Sequence, residues 1–304
     1  MIPSINIEKF ATLTGHNSSV FCLCPYDSPA NFLSAGGDGW IVAWNFNKPD
    51  PGRLIAKIDT QIFSLCYLSH KHLIVAGNMN GGVHWIDIRN PENTLNIQNH
   101  QKGVFSIINI GNSLFTAGGE GLLTKWDVPQ QKRLESFHLS NKSLRCMAYS
   151  QKRNELAIGS SDQSIYILNA QTLQIKKRLS DAHNNSVFSI RYTPDDRYLI
   201  SGGRDAYLRV RDTQNGFDEV SAQPAHWYTI NDIVFHPKAP IFATASRDKT
   251  IKIWSLESFK LLKVIETVRD QGHLNSVNRL YWSTHNNYLV SCSDDRSIAI
   301  WHII

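Results

Sequence analysis

The sequence predicts an all-β protein made of seven repeated units arranged as the blades of a propeller, and two observations lead to this. Runs of four to seven β-branched and aromatic residues, bounded by Gly, Asp and Pro, follow one another at nearly constant spacing, with no helical stripe of ten residues between them. This is the pattern of short antiparallel strands. An eleven-residue pattern also recurs at intervals of 41 to 47 residues, and such a period is typical of four-stranded blades stacked around a central channel.

The eleven-residue pattern ends each unit, and the seven units fill the chain. It is written SAGGDGWIVAW, VAGNMNGGVHW, TAGGEGLLTKW, IGSSDQSIYIL, SGGRDAYLRVR, TASRDKTIKIW and SCSDDRSIAIW, and these segments end at positions 44, 85, 126, 168, 211, 254 and 301. No linker or low-complexity stretch divides the 304 residues. A unit that cannot bury both of its faces alone must stack on its neighbours, so we expect residues 1–304 to form a single propeller domain.

The composition excludes several classes of protein. With 42% hydrophobic and 19% charged residues, the chain lies outside the disordered and coiled-coil ranges. No apolar run approaches the roughly 18 residues needed to span a bilayer, and the first ten residues lack the layout of a secretory signal. Five irregularly spaced cysteines predict buried thiols rather than a disulfide framework or a zinc site. We expect a cytoplasmic protein without a membrane segment.

These residues resemble the WD-repeat β-propeller family from about residue 5 to residue 304. Gly15-His16 and Gly272-His273 match the family's Gly-His signature. In the family, that His forms a hydrogen-bonded group inside the blade with a Ser or Thr, the turn Asp and the Trp. The resemblance therefore implies a structural blade network made of His16, Ser34, Asp38, Trp44, His100, Thr116, Trp126, His183, Ser201, Asp205, His226, Thr244, Asp248, Trp254, His273, Ser291, Asp295 and Trp301.

The residue types of this network also suit a structural role on physical grounds. A carboxylate tucked into a tight turn must find hydrogen-bond donors, and an indole N–H needs an acceptor. Several units depart from the pattern, with Ile58, Val75 and Met79 in the second unit at the His, Ser and Asp positions, Glu120 for Asp in the third, Ser140 for His in the fourth and Arg211 for Trp in the fifth. We expect the second and fourth blades to be held mainly by apolar packing.

The two ends of the chain predict how the ring closes. The sequence stops within a few residues of Trp301, which leaves the last unit without its fourth strand. Residues 5–13 (INIEKFATL) precede the first His and have the pattern of a single strand. The resemblance implies that this strand is the outer strand of the last blade, and such pairing removes two exposed sheet edges.

The sequence gives no sign of an enzyme. It contains no Gly-x-Ser-x-Gly, no His-Glu-x-x-His, no Walker-type loop and no Gly-x-Gly-x-x-Gly followed by a helix, which are the motifs of common nucleophilic, metal and nucleotide sites. Five of the twelve His stand in the repeat register, and the pair His70 and His72 has no acid near it in sequence. We therefore predict no catalytic residue, no metal site and no cofactor.

The resemblance also implies a partner site on the top face, at the mouth of the channel. In the family, this mouth is ringed by residues three and five places after the blade His and by the residue before the turn Asp, and the first strand begins there with a β-bulge. Phe recurs at the fifth place in four of the seven units, and Arg precedes the turn acid in the fifth and sixth units. The predicted partner-binding residues are Phe21, Phe63, Phe105, Arg145, Phe188, Arg204, Asn231, Arg247, Asn278 and Asp294.

These residues predict a non-enzymatic scaffold that binds a peptide or protein segment at the channel mouth. The four Phe would form an apolar crescent, and the Arg residues would favour a carboxylate or phosphate on the ligand. A repeat can also keep Phe at one place as core, so this alternative stays open beside the first. Nucleic-acid binding through the net charge of +5 is the alternative function, and a channel enzyme is a third.

Two further expectations complete this interpretation. Nineteen residues separate Trp254 from His273, against 14 or 15 in other units, so residues 266–271 (ETVRDQ) should form an extra loop on the same rim. Inserted loops on one face of a repeat protein often belong to recognition. We expect a monomeric propeller that acts within a larger complex.

Overall fold

Seven four-stranded antiparallel sheets, which we call blades, make up residues 5–303, the part of the chain that the computed structural model describes. The chain begins with β1 (Ile7–Leu13), and blades 1 to 3 follow as β2 (Val20–Pro25), β3 (Asn31–Gly36), β4 (Trp40–Asn45) and β5 (Lys48–Lys57); β6 (Ile62–Leu68), β7 (Leu73–Asn78), β8 (Gly82–Asp87) and β9 (Leu95–Gln98); and β10 (Val104–Ile110), β11 (Ser113–Gly118), β12 (Leu122–Asp127) and β13 (Lys132–His138). The predicted domain limits at residues 1 and 304 lie outside the described residues.

The remaining blades continue in the same order. Blades 4 to 7 are formed by β14 (Leu144–Ser150), β15 (Glu155–Ser160), β16 (Ile165–Asn169) and β17 (Ile175–Leu179); β18 (Val187–Tyr192), β19 (Tyr198–Gly203), β20 (Tyr207–Asp212) and β21 (Asp218–Pro224); β22 (Ile230–Phe235), β23 (Ile241–Ser246), β24 (Ile251–Ser255) and β25 (Leu261–Ile265); and β26 (Val277–Trp282), β27 (Leu289–Ser293) and β28 (Ile298–Ile303) together with β1. The fold is an all-β seven-bladed propeller, as predicted.

The N-terminal strand completes the last blade, which confirms the predicted closure. β1 pairs antiparallel with β28, from Ile7 opposite Ile303 to Leu13 opposite Ile298. The sheet order is β1-β28-β27-β26, so the first strand of the chain is the edge of the seventh sheet. Leu13 is buried, so β1 contributes to the core as well as to the ladder.

Helices are short. A 3₁₀ turn, Pro91–Asn93, precedes β9, and a one-turn helix, α1 (Thr267–Asp270), lies in the predicted extra loop before β26. Among residues 5–303, no helix is long and apolar enough to cross a membrane.

The chain divides into two compact units, each with its own apolar core. Unit 1 holds the residues up to Ile62 and those from Asn231 onward, and unit 2 is Phe63–Ile230. In unit 1 the core includes Phe32, Trp44 and Ile300. In unit 2, β7 and β15 are buried along their whole length, whereas β13 and β17 are mainly exposed. Short, exposed outer strands are typical of sheet edges.

One residue of the turn between the second and third strands has a positive φ in every blade. In blades 1 to 3 and 5 to 7 its amide donates to the carbonyl three residues earlier, as from Gly39 to Gly36 at 3.1 Å. Left-handed backbone of this kind favours glycine, and three of the seven positions hold it. The residues are Gly39, Gly81, Gly121, Gln163, Ala206, Lys249 and Arg296, with φ between 65° and 92°.

This turn corrects the register predicted for the second unit by one residue. Gly81, not Asn80, has the positive φ, and its amide donates to Asn78. The turn-acid position is therefore held by Asn80, and Met79 precedes it. Ile86 takes the place that Trp has elsewhere, and Trp85 lies on the opposite face of β8, edge-on to Trp126 at 6.1 Å between ring centroids. Its indole N–H has no hydrogen-bond partner among the described residues.

Candidate functional site

The predicted partner residues lie at one end of their blades, which we call the upper end. Because neighbouring strands are antiparallel, the start of the first strand and the turn between the second and third strands meet at the same end of a sheet. Phe105 at the start of β10 and Gly119 in the β11–β12 turn illustrate this: a Cβ added to Gly119 would lie 2.9 Å from Cε2 of the Phe105 ring. The absence of a side chain at Gly119 therefore makes room for the Phe105 ring over the turn.

A β-bulge places these side chains. The pairing of first and second strands shifts register between Val104 and Ser106, so Phe105 has no direct partner on β11. The same shift occurs in four other blades and leaves out Phe21, Arg145, Phe188 and Asn278. A bulge twists the strand and redirects the extra residue, which separates these side chains from the alternating core residues on either side.

In unit 2, four planar side chains from consecutive blades form one continuous group, which we call the aromatic stack: Phe63, Phe105, Arg145 and Phe188. The rings of Phe63 and Phe105 lie 5.4 Å apart. The Arg145 guanidinium lies 4.3 Å from the centroid of Phe105 and 5.1 Å from that of Phe188. All four side chains are half-buried, so the stack is neither core nor fully in solvent.

Arg145 is the cation of this stack. Its Nε donates to Oγ of Ser161, 3.0 Å away. Burial lowers the pKa of Arg145, and the positive charge of Arg204 lowers it further. No carboxylate among residues 5–303 forms an ion pair with Arg145, and Ser161 is its one hydrogen-bond partner there. Arg204 is exposed.

The acids near the upper ends are held inside their blades instead. In blade 1, Nδ1 of His16 lies 2.9 Å from Oδ2 of Asp38, Nε2 lies 2.7 Å from Oγ of Ser34, and the Trp44 indole donates to the same Oγ at 2.7 Å. An indole only donates and a carboxylate only accepts. The Ser34 hydroxyl therefore donates to His16, and His16 donates to Asp38.

Equivalent groups occur in other blades with substitutions that preserve the hydrogen bonds. In blade 3, Glu120 replaces Asp and accepts from His100 at 2.6 Å. In blade 5, Arg211 replaces Trp and donates to Oγ of Ser201 at 3.4 Å, while His183 contacts Asp205 at 3.0 Å. In blades 3, 6 and 7 the indole of each repeat Trp donates to a buried hydroxyl, as Trp126 to Thr116, Trp254 to Thr244 and Trp301 to Ser291, all within 3.0 Å.

The network of blade 7 stabilises the ionised form of its carboxylate. His273 lies 2.9 Å from Oδ2 of Asp295 and 2.8 Å from Oγ of Ser291. Burial would raise the pKa of Asp295, but the hydrogen bonds and charge of His273 and the hydroxyl of Ser297 outweigh it and hold that pKa well below its usual range. In blade 6, His226 is buried.

Blades 2 and 4 have polar networks of their own beside the apolar packing predicted to hold them. In blade 4 the Ser140 and Tyr166 hydroxyls donate to Oδ2 of Asp162 at 2.7 and 2.6 Å. In blade 2 the side chain of Asn78 accepts from the amide of Gly82 at 2.8 Å and contacts Nε2 of His84 at 2.9 Å.

In unit 1, two of the predicted partner residues bond to backbone. The side-chain amide of Asn231 donates to the Val277 carbonyl at 2.8 Å, and that of Asn278 donates to the Val20 carbonyl at 2.9 Å and to Asp294 at 2.8 Å. Phe21 lies at its bulge beside Gly37, and Arg247 is exposed.

The structure also shows exposed apolar side chains at upper ends that the sequence interpretation missed. Trp227 and Tyr228, just after His226, are 86% and 60% exposed. Other units have mostly polar residues directly after the blade His. This contrast in the sequence could have predicted that Trp227 and Tyr228 are exposed. Met79 is 48% exposed, and Val268 in α1 is 93% exposed. Among the described residues, no group of three or more His, Cys, Asp or Glu side chains is arranged to hold a metal ion.

Seven four-stranded blades with buried His–Asp groups define a repeat propeller. The side chains described above that are not engaged inside the blades lie at its surface. The chain belongs to the WD40 family: the model described as "WD domain, G-beta repeat" matches residues 7–45, 174–212, 218–255 and 262–302, more than half of the chain. The fold of the crystal structure of the WD40 β-propeller domain of Doa1 is similar, with a TM-score of 0.84 and 21% identity over 97% of this chain and 96% of that one.

Curated relatives are similar over part of their length. Transducin beta-like protein 3 of Rattus norvegicus is 22% identical over 96% of this chain and 33% of its own length. Protein tipD of Dictyostelium discoideum is 23% identical over 99% of this chain and 49% of its own. The probable cytosolic iron-sulfur protein assembly protein 1 of Candida glabrata is 31% identical over 42% of this chain and 40% of its own. The chain thus spans between a third and a half of the length of these relatives. WD40 propellers are generally non-enzymatic scaffolds for protein interaction.

Proposed function

We propose that the chain is a non-enzymatic scaffold that binds an extended peptide segment of a partner protein across the aromatic stack at the upper ends of the unit 2 blades. As part of this proposal it acts in the cytoplasm, as a monomeric propeller within a larger complex. Phe21, Arg247 and Asp294 at upper ends in unit 1 stay predicted contacts. Asn231 and Asn278 stay so too, although their amides already bond to backbone.

The observation that carries the proposal is the half-buried state of four planar side chains in contact with one another. A core Phe is fully buried, as Phe115 of blade 3 is, whereas Phe63, Phe105 and Phe188 are partly exposed. Aromatic and Arg side chains grouped in this way typically supply most of the affinity of an interface. Arg204 and the exposed Met79 extend this surface at the upper ends of blades 5 and 2.

The test is a selection of peptides on the folded protein. A phage-displayed library of random twelve-residue peptides is selected on wild type, and the enriched peptides are titrated against wild type and Phe105→Ala. Loss of one central aromatic anchor should weaken binding by about tenfold or more. The matched control is Leu134→Ala, because Leu134 is an exposed apolar residue of the same blade, on the outer strand β13.

The control should bind like wild type, and both variants should keep the wild-type circular dichroism spectrum. Enriched peptides that bind Phe105→Ala as tightly as wild type would exclude the stack as the site. A single-stranded oligonucleotide, titrated in parallel at several salt concentrations, tests the alternative function. Binding that weakens steeply and linearly in log salt indicates phosphate contacts and would replace the proposal.

A further inference from the structure

The guanidinium of Arg145 contacts two Phe rings and keeps most of its N–H donors without a partner among residues 5–303. Phe105 and Phe188 lie against the planar group at 4.3 and 5.1 Å, and Ser161 takes the Nε hydrogen. An arginine has five N–H donors in a fixed fork, so four donors, all on the two Nη atoms, have no partner among residues 5–303. A fork of this kind matches the two oxygens of a carboxylate.

Arg145 also has no ion-pair partner among residues 5–303, and the same holds for the cations near it. Lys102, Lys142 and Arg204 are exposed at the upper ends of blades 3, 4 and 5, and none of the three forms an ion pair within residues 5–303. The acids at these ends are engaged inside the blades, Glu120 with His100, Asp162 with Ser140 and Tyr166, and Asp205 with His183. The upper ends of these three blades therefore present, around the stack, cations that have no ion-pair partner within residues 5–303.

We infer that Arg145 binds the carboxylate of an acidic side chain in the partner segment. The inference rests on the proposed function and names the chemistry that its site selects. Since alternate residues of an extended chain share one face about 6.6–7 Å apart, an acidic residue over Arg145 places the residues two positions before and after it toward Phe105 and Phe188. The preferred segment is an Asp or Glu with an apolar residue two positions away.

A peptide carboxylate fits this site better than a nucleic acid does. Bases bind by stacking on open aromatic and Arg faces, but here the Phe105 and Phe188 rings already lie against the Arg145 guanidinium. The Nη donors of Arg145 have no partner among residues 5–303, and they suit a carboxylate flanked by apolar side chains.

A double-mutant cycle tests the inference. The tightest peptide selected on wild type is synthesised with its acidic residue and with the matching amide, Glu→Gln or Asp→Asn, and each form is titrated against wild type and Arg145→Gln. Each single change should weaken binding about tenfold or more, and the second change should add little once the first is made. Arg145→Lys should restore only part of the affinity, because Lys keeps the charge without the fork.

The outcomes separate the two proposals. Enriched peptides without a recurrent acidic residue, or additive effects in the cycle, overturn the carboxylate inference; the proposed function still stands if those peptides are lost on Phe105→Ala. Peptides indifferent to Phe105→Ala overturn both. Oligonucleotide binding that is lost in Arg145→Gln, with no acidic peptide selected, overturns the inference in favour of phosphate. Should Arg145→Gln not fold, the amide peptide on wild type still decides, since equal affinity of the acidic and amide forms contradicts the inference.

Discussion

The side-chain amide of Asn278 donates to the carbonyl oxygen of Val20, 2.9 Å away, although 258 residues separate the two in the chain. Both residues flank or occupy a β-bulge, where the ladder of their own sheet is interrupted. The same kind of bond recurs between other consecutive blades, as from Ser64 to the Val104 carbonyl at 2.8 Å. The bulge interrupts the hydrogen-bond ladder of its own sheet at this carbonyl. A side chain of the preceding blade thus donates the hydrogen bond that the carbonyl accepts.

Replacing Asn278 by Leu should therefore destabilise the protein. The buried Val20 carbonyl would lose its donor, and a buried polar group without a partner costs about 1–3 kcal/mol. The measurement is the urea midpoint of unfolding, followed by tryptophan fluorescence. Asn275→Leu is the control, because Asn275 is exposed in the loop before the same strand. An Asn278→Leu midpoint no lower than that of the control would show that the bond to Val20 contributes nothing.

The buried His residues predict that stability falls as the solution becomes acidic. Burial lowers the pKa of His16, His100 and His183, although the neighbouring carboxylates oppose this. In the unfolded chain the pKa of His is about 6.5, so below that pH the unfolded state binds more protons and gains relative to the folded state. The melting temperature should decrease between pH 7.5 and pH 5.5.

His183→Gln should separate this effect from others. The variant should be less stable than wild type at pH 7.5 by about 1–3 kcal/mol, since Asp205 and Ser201 lose a partner, but its stability should fall less between pH 7.5 and 5.5. His70→Gln, at an exposed position, is the control and should keep the wild-type pH profile. Parallel profiles for His183→Gln and wild type would contradict the assignment.

The carboxylates act at lower pH. Burial would raise the pKa of Asp205, but hydrogen bonding and charge from His183 outweigh it, so the pKa of Asp205 is lowered. A carboxyl group with a lowered folded pKa adds stability that is complete above its unfolded value of about 3.9 and is lost as pH falls through the folded value. A second decrease in stability should therefore appear below about pH 4.

The contacts of Arg211 predict that its replacement by Trp destabilises the protein less than its replacement by Leu. Its guanidinium donates to Ser201, to the Ala182 carbonyl at 2.8 Å and to Glu219 at 3.0 Å. Arg211→Leu removes all three bonds and should cost about 1–3 kcal/mol. Arg211→Trp should cost less, because an indole at this position donates to the equivalent hydroxyl in blades 1, 3, 6 and 7. Urea unfolding of both variants checks this, and an equal or larger loss for Arg211→Trp would be the contrary result.

The N-terminal strand should be essential to stability. A chain that starts at Thr14 lacks β1, which uncovers the edge of β28 and removes the buried Leu13. Loss of one buried Leu alone costs about 2–5 kcal/mol, so the melting temperature should fall by at least about 5 °C. A chain that starts at Ile5 keeps β1 and is the control. Equal melting of the two chains would mean that β1 is dispensable.

The sequence predicts the blades and their closure because both depend on local patterns. Alternating apolar residues, turn acids and a constant period are all visible within one unit. The position of Arg145 at a bulge follows from counting five places after Ser140 in the same way. Trp85 shows the limit of this counting: the turn of blade 2 has the same length as in blade 1, so Ile86 takes the repeat Trp position, and a conspicuous Trp one residue earlier hid the shift.

Contacts between distant residues could not be predicted from one sequence. Nothing local indicates that Phe105 and Phe188 both contact the Arg145 guanidinium, or that Tyr166 donates to Asp162 where a His is missing. Such partners are brought together only by stacking of one blade on the next. The sequence does show that Trp227 stands where most other units have a polar residue, but the exposure of its side chain depends on the surrounding loops.

The pairing of β1 with β28 has a consequence for how the protein is made. β28 is synthesised about 285 residues after β1. At roughly 5–20 residues per second, β1 waits for some 15–60 s with its strand edge unpaired. During this interval β1 is an unpaired strand of the nascent chain, able to pair with other exposed strand edges. The six earlier blades can form before the seventh has all of its strands.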